Sequence, residues 1–325
     1  KLIESGAAYR CFTSENEINE LRENQKKSGL PPKHDNRHRN LTNEEIKSYI
    51  SEGRSSVIRF KIDDDSEIVW QDQIRGEIKW RGKDLGGDLV LSRRALGYEI
   101  GNPLYNFAVV VDDNFMKITH VVRGEDHISN TAKQILIYEA LGFKVPIFSH
   151  TPLILNNEGK KLSKRDSVTS IDDFRNMGYL PDALANYMAF LGWSPKTEAS
   201  EIISIKEISK IFELSDINKA GAKFNWEKLN WINSQYIKKM EPDKLTKILE
   251  QYWKEKGWQC PSKDWGIKLT LLLRDSMVLL NDGIDQSKPF FLLPEIQQEG
   301  IDFLKDIEAK ESLRLILNLL IEKNN

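Results

Sequence analysis

A short basic loop is the densest group of potentially reactive side chains in the sequence. Residues 159–165 read GKKLSKR, and five of these seven residues are cationic or carry a hydroxyl group. Mobile ammonium groups beside the carboxyl edge of a sheet would neutralise the charge of a polyphosphate. The alternative is a solvated basic turn, because short clusters of lysine and arginine are common on protein surfaces.

A second candidate site lies where a predicted strand ends. Residues 121–127 read VVRGEDH, and Arg123 has the planar fork of donors that binds a carboxylate through two hydrogen bonds. Ligands of parallel sheets bind at the carboxyl ends of the strands; the alternative is a structural ion-pair network. Tyr105, just before the apolar residues 106–111, can hydrogen-bond a substrate or anchor a buried strand with its ring.

Three side chains suggest a metal site nearer the start of the chain. His34 and His38 are four residues apart and Cys11 lies upstream, and zinc accepts ligands of both types. A closed site needs four ligands and no fourth is evident, so the alternative is an exposed basic segment. The sequence shows no Ser-His-Asp arrangement, glycine-rich phosphate loop or metalloprotease helix.

The elements that must position these residues begin with a small α+β unit. Ser14 and Glu17 have the spacing of a helix capping box, and Ile58, Phe60 and Ile62 alternate with basic residues as in a half-buried strand. Further short strands are predicted at residues 67–70, 77–80 and 88–92.

A different pattern begins at Pro103. Residues 106–111, apolar after Asn106, and residues 119–123 are predicted strands, residues 129–141 a helix and residues 145–150 a buried strand. A strand–helix–strand unit of this length is a crossover connection, so the pattern predicts a parallel sheet.

The rest of the chain has helical periodicity and no strand pattern. Helices are predicted at residues 182–191, 205–212, 226–237, 245–253, 269–280 and 303–321. The residues therefore predict an α+β unit, half of an α/β sheet and helical bundles.

Composition narrows the class of protein. The 325 residues carry 47 Lys and Arg against 49 Asp and Glu, a net charge of −2, which excludes a globally basic nucleic-acid coat and leaves only local patches. Two cysteines cannot build a disulfide framework, which favours a reducing compartment, and no apolar stretch is long enough to span a membrane. The chain starts at Lys1 and ends in a helical pattern, so we expect a fragment.

Taken together, the motifs resemble one family, the bacterial glutamyl-tRNA synthetases, which are class I aminoacyl-tRNA synthetases. Residues 161–165 (KLSKR) resemble the signature of that class usually written KMSKS. The other matching segments follow in order along the chain: residues 8–12, 106–113, 119–127, 178–184, 191–194 and 228–233. The ordered set is more specific than any single motif.

The resemblance implies an α/β plus all-α fold with four regions. These are an α+β connective insertion that holds the tRNA acceptor end (1–102), the second half of a Rossmann-type parallel sheet (103–159), the KMSKS loop with a stem-contact fold (160–240) and an incomplete helical anticodon-binding region (241–325).

The activity implied by the resemblance is the ATP-dependent attachment of L-glutamate to the 3′ end of tRNA(Glu), with Mg²⁺ accompanying ATP. The substrate carboxylate attacks the α-phosphate, and positioning and charge stabilisation lower the barrier. The site residues implied by the same motifs are Lys161 and Lys164 for catalysis, Ile154, Ser163, Arg165 and Asp126 for ATP, and Tyr105 and Arg123 for glutamate.

Two departures from the family pattern carry expectations of their own. Many relatives bind zinc through a Cys-x-Cys and a later Cys-x-His, but residues 11–13 here read CFT and residues 38–40 read HRN, so we expect no zinc. The family's HIGH motif, part of the first half of the Rossmann sheet, is missing, so this segment alone should have little or no activity.

Two other functions stay open on the sequence alone. One is a shortened paralogue that glutamylates a modified tRNA base, against which the helices after Met240 argue. The other is a non-catalytic tRNA-binding module on the same scaffold, which the missing HIGH motif keeps open. The expected partners are tRNA(Glu), with tRNA(Gln) as a second candidate, glutamate and ATP, and the expected state is a cytoplasmic monomer without membrane contact.

Overall fold

Short strands and helices alternate through the first half of the chain, and helices dominate the second half. In the computed structural model, residues 1–156, 158–160, 170–195, 200–292 and 297–324 are described. The described strands are β1 (Ala8–Cys11), β2 (Val57–Phe60), β3 (Glu67–Asp72), β4 (Gly76–Arg81), β5 (Leu89–Val90), β6 (His120–Gly124), β7 (Ile147–Thr151), β8 (Ile154–Leu155) and β9 (Ala222–Lys223). The described helices are α1 (Glu15–Lys27), α2 (Asn43–Ser51), α3 (Tyr105–Phe115), α4 (Ile128–Leu141), α5 (Ile171–Met177), α6 (Pro181–Gly192), α7 (Ile205–Ile211), α8 (Trp226–Lys239), α9 (Pro242–Glu255), α10 (Lys263–Arg274), α11 (Leu280–Phe291), α12 (Gln298–Phe303) and α13 (Ile307–Asn324).

Two units divide these elements. The first consists of residues 1–166 and 188–225, and the second of residues 167–187 and 226–325. All the described strands belong to the first unit, whereas the described elements of the second unit are helices.

Two antiparallel sheets form the part of the first unit before Pro103. Strands β1, β2 and β5 make one sheet in that order, and β3 and β4 make a hairpin. The predicted capping box of Ser14 and Glu17 is confirmed at the start of α1. The strand predicted around Ile58 is also confirmed, but Arg59 is buried rather than exposed, because β2 is the central strand and the Arg59 guanidinium donates to the carbonyl of Asp88 at 2.8 Å.

The predicted parallel crossover is confirmed. Strands β6 and β7 pair in parallel register from His120 opposite Ile147 to Gly124 opposite Thr151, and α4 connects them. The buried side chains of this part of the core include Val110, Ala132, Ile137, Tyr138 and Phe148.

The strand predicted at residues 106–111 is wrong, because these residues belong to helix α3. A short apolar run cannot be assigned to strand or helix by periodicity alone. In the helix, Phe107 and Val110 are three residues apart on one face, and both belong to the core cluster that includes α4 side chains. Packing against α4 therefore decides the conformation of this segment.

Two further expectations about the second half of the chain are wrong. Residues 269–280 do not form one helix: α10 ends at Arg274, and the Asp282 carboxylate accepts the N–H groups of Val278 and Leu279 at 2.8 Å each, which starts α11. The absence of strands after Lys164 is also wrong, because β9 pairs in parallel with β8. Two residues are too few for a periodic pattern to reveal a strand.

The second unit has a core of its own. Leu229, Ile237, Leu245, Leu249 and Trp253 of α8 and α9 are fully buried, and the indole N–H of Trp253 donates to the Ser287 hydroxyl of α11 at 2.8 Å. Among the described helices, none combines the length and the apolar character needed to cross a membrane.

Candidate active site

The candidate site is built at the carboxyl ends of the parallel strands β6 and β7. The register of the pair places Arg123 beside His150, and Nε of Arg123 lies 3.4 Å from Nε2 of His150. The guanidinium carbon of Arg123 also lies 5.4 Å from the ring centre of Phe148. The strands therefore hold the Arg123 side chain at the edge where ligands of parallel sheets bind.

Helix α4 contributes two more contacts to Arg123. Thr131 and Gln134 are three residues apart and share one face of the helix, and their side-chain oxygens accept hydrogen bonds from Nη2 of Arg123 at 2.5 and 2.8 Å. Burial lowers the pKa of Arg123, but a guanidinium stays protonated at neutral pH. The site therefore holds a fixed positive charge.

His150 connects this arginine to the residues before Pro103. The side chains of His150 and Asp72 are both fully buried, and His150 Nδ1 lies 2.6 Å from Oδ2 of Asp72, the last residue of β3. The other ring nitrogen, Nε2, lies 2.9 Å from the Thr131 hydroxyl. Burial lowers the pKa of His150 despite the hydrogen bond with Asp72, which acts in the opposite direction.

Helix α3 places Tyr105 beside the same arginine and Asn106 beside Gln134, one of its partners. Tyr105 is the first residue of this helix. Its proximity raises the pKa of Arg123, but the larger effect of burial lowers it. The Tyr105 ring is 51% exposed, and its hydroxyl lies 3.4 Å from Nδ1 of His127. Asn106 accepts a hydrogen bond from Gln134 Nε2 at 2.9 Å. The structure thus brings Tyr105 and Arg123 together, although Tyr105 begins a helix rather than preceding a strand.

Strand β8 presents one edge of its backbone away from β9. The carbonyls of Leu153 and Leu155 accept the N–H groups of Ala222 and Phe224, at 3.2 and 2.8 Å. Because the backbone groups of successive strand residues point to opposite edges, the N–H and C=O of Ile154 face the other side. The side chain of Ile154 lines an apolar cavity of about 260 Å³.

Asp126 lies in the single turn between β6 and α4. A Cβ atom on Gly124 would lie 2.6 Å from Oδ1 of Asp126, so the carboxylate packs directly over that glycine. The other predicted nucleotide-binding and catalytic residues lie outside the described residues: Lys161, Ser163, Lys164 and Arg165.

The Cys11 thiol lies in a compact polar cluster. Its sulfur lies 3.6 Å from Nδ1 of His38, 3.7 Å from Nε2 of His34 and 3.3 Å from Oγ1 of Thr13. Burial raises the pKa of Cys11, but the hydrogen bonds with His34, His38 and Thr13 outweigh it and lower the pKa to about 4. His34 therefore belongs to this cluster, although the Cys-x-Cys and Cys-x-His zinc pattern of the family has no ligand at its position.

These residues do not fit a zinc ion of the family type. Thr13 supplies a hydroxyl at the position where the Cys-x-Cys pattern has its second thiol, Asn40 is exposed, and Nδ1 of His38 already lies 3.3 Å from the backbone N–H of Phe12. In the part of the chain that the structure describes, no group of three or more His, Cys, Asp or Glu side chains is arranged to hold a metal ion. The absence of zinc stays a prediction.

Sequence reasoning missed four residues of the site: Asp72, Thr131, Gln134 and His150. His150 carried a usable signal, because it stands near the end of a predicted parallel strand. Thr131 and Gln134 lie on a predicted helix, and their spacing of three is compatible with one shared face. Asp72 carried no such signal, because its partner His150 lies 78 residues further along the chain.

The fold and the site define the class of protein to which the chain belongs. Residues 1–231 match the family described as tRNA synthetases class I (E and Q), catalytic domain, where the letters stand for glutamate and glutamine. The chain therefore belongs to this family.

Within that class, the chain is similar to glutamate–tRNA ligases. It is 76% identical over 324 residues to the ligase of Prochlorococcus marinus strain MIT 9312, covering 100% of this chain and 68% of that protein. It is 56% identical to the ligase of strain NATL1A, covering 99% of this chain and 67% of that protein. The family predicted from the motifs is confirmed, and neither the base-modifying paralogue nor the non-catalytic module is favoured.

A solved structure agrees with this membership. The crystal structure of a glutamate tRNA ligase from Elizabethkingia meningosepticum in complex with its amino acid matches with a TM-score of 0.83 and 32% identity. The match covers 96% of this chain and 66% of that one. The chain thus spans about two thirds of the length of its relatives.

Proposed function

We propose that the protein containing this chain activates L-glutamate with ATP and transfers the glutamyl group to the 3′ end of tRNA(Glu). The observation that carries the proposal is the arginine at the end of β6, whose Nη2 donates to Thr131 and Gln134. The Elizabethkingia meningosepticum ligase, described in complex with its amino acid, supports an amino-acid site in a chain of this fold.

Arg123 and Tyr105 are the proposed glutamate ligands. The guanidinium fork matches the geometry of a carboxylate, and the phenol of the half-exposed Tyr105 supplies a second hydrogen-bonding group on the same side. A hydrogen bond to a charged group contributes about 1.5–3 kcal/mol, which corresponds to roughly a tenfold or larger effect on affinity.

ATP is proposed to bind along β8 and the residues that follow it. The outward backbone edge of Ile154 is suited to reading the hydrogen-bonding edge of adenine, and Asp126 is assigned to the same nucleotide site. Lys161, Ser163, Lys164 and Arg165 are proposed to contact the phosphates, with Lys161 and Lys164 stabilising charge on the transferring phosphorus centre. Mg²⁺ is proposed to arrive with ATP on phosphate oxygens and its own waters.

The proposed chemistry needs no protein nucleophile, because the substrate supplies one. A glutamate carboxylate oxygen attacks the α-phosphorus, and pyrophosphate leaves. A terminal ribose hydroxyl of the tRNA then attacks the acyl carbon, and AMP leaves. The protein contributes positioning and charge stabilisation, which is the usual basis of phosphoryl transfer.

The domain plan and the wider partners belong to the same proposal. Residues 1–102 are proposed to hold the tRNA acceptor end, residues 103–159 to form half of the catalytic sheet, residues 160–240 to contact the stem and residues 241–325 to begin the anticodon-binding region. The tRNA substrates are tRNA(Glu) and, as a second candidate, tRNA(Gln). A cytoplasmic monomer is proposed, since protein synthesis consumes the product there.

The substitution Arg123→Lys in the full-length protein tests the glutamate assignment. Lysine keeps the charge but loses the two-pronged geometry, so we expect the KM for glutamate to rise about tenfold or more. The KM for ATP should change less than about twofold, because the Arg123 guanidinium is proposed to contact glutamate and not ATP. Both constants are measured by glutamate-dependent exchange between ATP and pyrophosphate.

Arg39→Lys is the matched control. Arg39 is likewise a partly buried, hydrogen-bonded arginine, but it contacts the carboxylate of Asp88 and the carbonyl of Ile62, away from the end of β6. We expect this variant to keep the glutamate KM of the unsubstituted enzyme. An unchanged glutamate KM in Arg123→Lys would remove Arg123 from the glutamate site.

A further inference from the structure

A chain of buried hydrogen bonds leads from the residues before Pro103 to the proposed glutamate ligand Arg123. It runs from Asp72 through His150 and Thr131, and each of these three side chains is completely or almost completely buried. We propose that Asp72 is a positioning residue for glutamate recognition: its carboxylate fixes the tautomer of His150, which in turn orients Thr131 and Arg123. This role rests on the proposed function of Arg123 and adds the residues that set its orientation.

The two oxygens of Asp72 have separate tasks. Oδ1 accepts the backbone N–H groups of Ile74, Arg75 and His150 at 3.0, 3.0 and 3.1 Å. Oδ2 lies 2.6 Å from Nδ1 of His150. These hydrogen bonds hold the pKa of Asp72 below its ordinary value although burial alone would raise it. An ionised carboxylate only accepts hydrogen bonds, so Nδ1 of His150 must carry a proton.

The proton on Nδ1 determines what the other side of the ring can do. Which nitrogen of a neutral imidazole carries the proton is set by the hydrogen bond that the other nitrogen makes. With Nδ1 protonated and the ring neutral, Nε2 is an acceptor, and the Thr131 hydroxyl donates to it at 2.9 Å rather than to the carbonyl of His127 at 3.2 Å. The oxygen of Thr131 accepts from Nη2 of Arg123 at 2.5 Å, so this hydroxyl joins the histidine to the arginine.

The opposite tautomer would break this order of donors and acceptors. A proton on Nε2 would face the Nε–H donor of Arg123, 3.4 Å away, and the Thr131 hydroxyl would then donate to the carbonyl of His127, at 3.2 Å, instead of to His150. Two donors facing each other in a buried site leave at least one polar group unsatisfied. The negative charge of Asp72 therefore selects the tautomer that leaves the Arg123 fork in one orientation.

A purely structural role of Asp72 can be separated from this one. The turn after β3 is held by the three backbone N–H groups that Oδ1 accepts, whereas the tautomer depends on Oδ2. Asp72→Asn keeps an oxygen for the turn, because a reversed amide would point its NH₂ group at those N–H donors. The NH₂ group then faces Nδ1 of His150 and forces the opposite tautomer. The substitution therefore preserves the turn but reverses the donors and acceptors in the chain Asp72–His150–Thr131–Arg123, which we call the relay.

The test is made in the full-length ligase with Asp72→Asn and a matched control, Asp88→Asn. Asp88 is an equally buried carboxylate before Pro103, and its partners are Tyr9, Arg39 and Ile62. We expect Asp72→Asn to raise the KM for glutamate about fivefold or more while the KM for ATP changes less than about twofold. Asp88→Asn should lower the thermal midpoint and leave the glutamate KM unchanged.

Thr131 gives an independent test with a conservative rescue. Thr131→Val removes the hydroxyl that joins His150 to Arg123, and Thr131→Ser retains it. We expect the valine variant to raise the glutamate KM as Asp72→Asn does, and the serine variant to restore it. Equal glutamate KM values in the two variants would contradict the relay.

The tautomer itself can be observed without any substrate. In the protein labelled with ¹⁵N-histidine, we expect His150 to be protonated on Nδ1 in the unsubstituted enzyme and on Nε2 in Asp72→Asn. The same tautomer in both proteins, or an unchanged glutamate KM in Asp72→Asn beside a raised one in Arg123→Lys, overturns the relay alone. An unchanged glutamate KM in Arg123→Lys overturns the proposed ligand and the relay with it.

Discussion

At the scale of single residues, the site depends on one neutral histidine held beside one buried carboxylate. His150 and Asp72 have no exposed side-chain surface, so neither can exchange its partner for water. Burial lowers the pKa of His150, and hydrogen bonds lower that of Asp72. Both groups therefore resist protonation in the folded protein more than they would in the unfolded chain.

Because the pKa values of His150 and Asp72 are both lowered in the folded protein, we expect the protein to lose stability in acid. When a group's pKa is lower in the folded protein, the unfolded chain binds the proton first as the pH falls. The contribution of His150 is present above its ordinary pKa of about 6.5 and is lost as the pH drops towards the folded value. We expect the free energy of unfolding, measured with urea, to fall between pH 7.5 and 5.5.

Two histidine variants check whether His150 causes this fall in the free energy of unfolding. His150→Gln removes the buried ring and should flatten the pH dependence near pH 6, while His120→Gln removes an exposed ring and should keep it. Equal slopes in the two variants would show that His150 does not cause the acid sensitivity.

At the residue scale, the sequence carries a usable signal where a residue type coincides with a strand end. Arg123 stands at the end of a strand that was recognisable from its pattern, and the structure brings Tyr105 beside it. Asp72 was different, because its partner His150 lies 78 residues further along the chain. No spacing rule describes contacts that only the tertiary fold creates.

At the scale of elements, short segments were harder to predict than long ones. The crossover of β6, α4 and β7 was predictable because each element is long enough to show its period. The sequence of helix α3 predicts a strand, since an apolar run of five residues fits either conformation. Strand β9 has two residues, and only its pairing with β8 makes it a strand.

Two glycines of the second unit give an element-scale prediction. Gly178 ends α5 with φ +93°, and a Cβ there would lie 2.9 Å from the backbone nitrogen of Asn281. Gly257 follows α9 with φ +75°, and nothing lies within 4 Å of its Cβ position. Gly257→Ala should therefore cost about 1–2 kcal/mol, the cost of a left-handed backbone for a residue with a Cβ.

Gly178→Ala should cost about 1–3 kcal/mol more, because the backbone of Asn281 must also move. The difference between the two variants is measured as the difference in their free energies of unfolding in urea. Equal costs would show that α5 does not approach the start of α11 as closely as the structure indicates.

At the scale of the whole molecule, charge restricts how the protein meets its proposed polyanionic partner. A net charge of −2 gives these 325 residues no general attraction for tRNA, so any binding by this part of the protein must rely on local groups of Lys and Arg. Composition alone is enough for this conclusion, because it depends only on the number of charges. The surface that carries the contact depends on where the fold places those charges, which composition does not contain.

The proposed tRNA binding should therefore weaken as salt increases. Each phosphate neutralised by a cationic side chain contributes a slope of about −0.7 to −0.9 to the plot of log affinity against log salt concentration. We expect a clearly negative slope for tRNA(Glu) bound to the full-length protein, measured by fluorescence titration at several salt concentrations. A slope near zero would show that phosphate contacts do not contribute.

The most direct measurement of the central claim is the product that the full-length protein makes from ATP, labelled glutamate and tRNA(Glu). The account predicts glutamyl-tRNA with the label on the ribose of the 3′-terminal nucleotide, released by mild base, and glutamate-dependent formation of pyrophosphate. It also predicts that Arg123→Lys needs more glutamate, but not more ATP, for the same rate. Label on an internal base, or no label with intact tRNA(Glu), would contradict it.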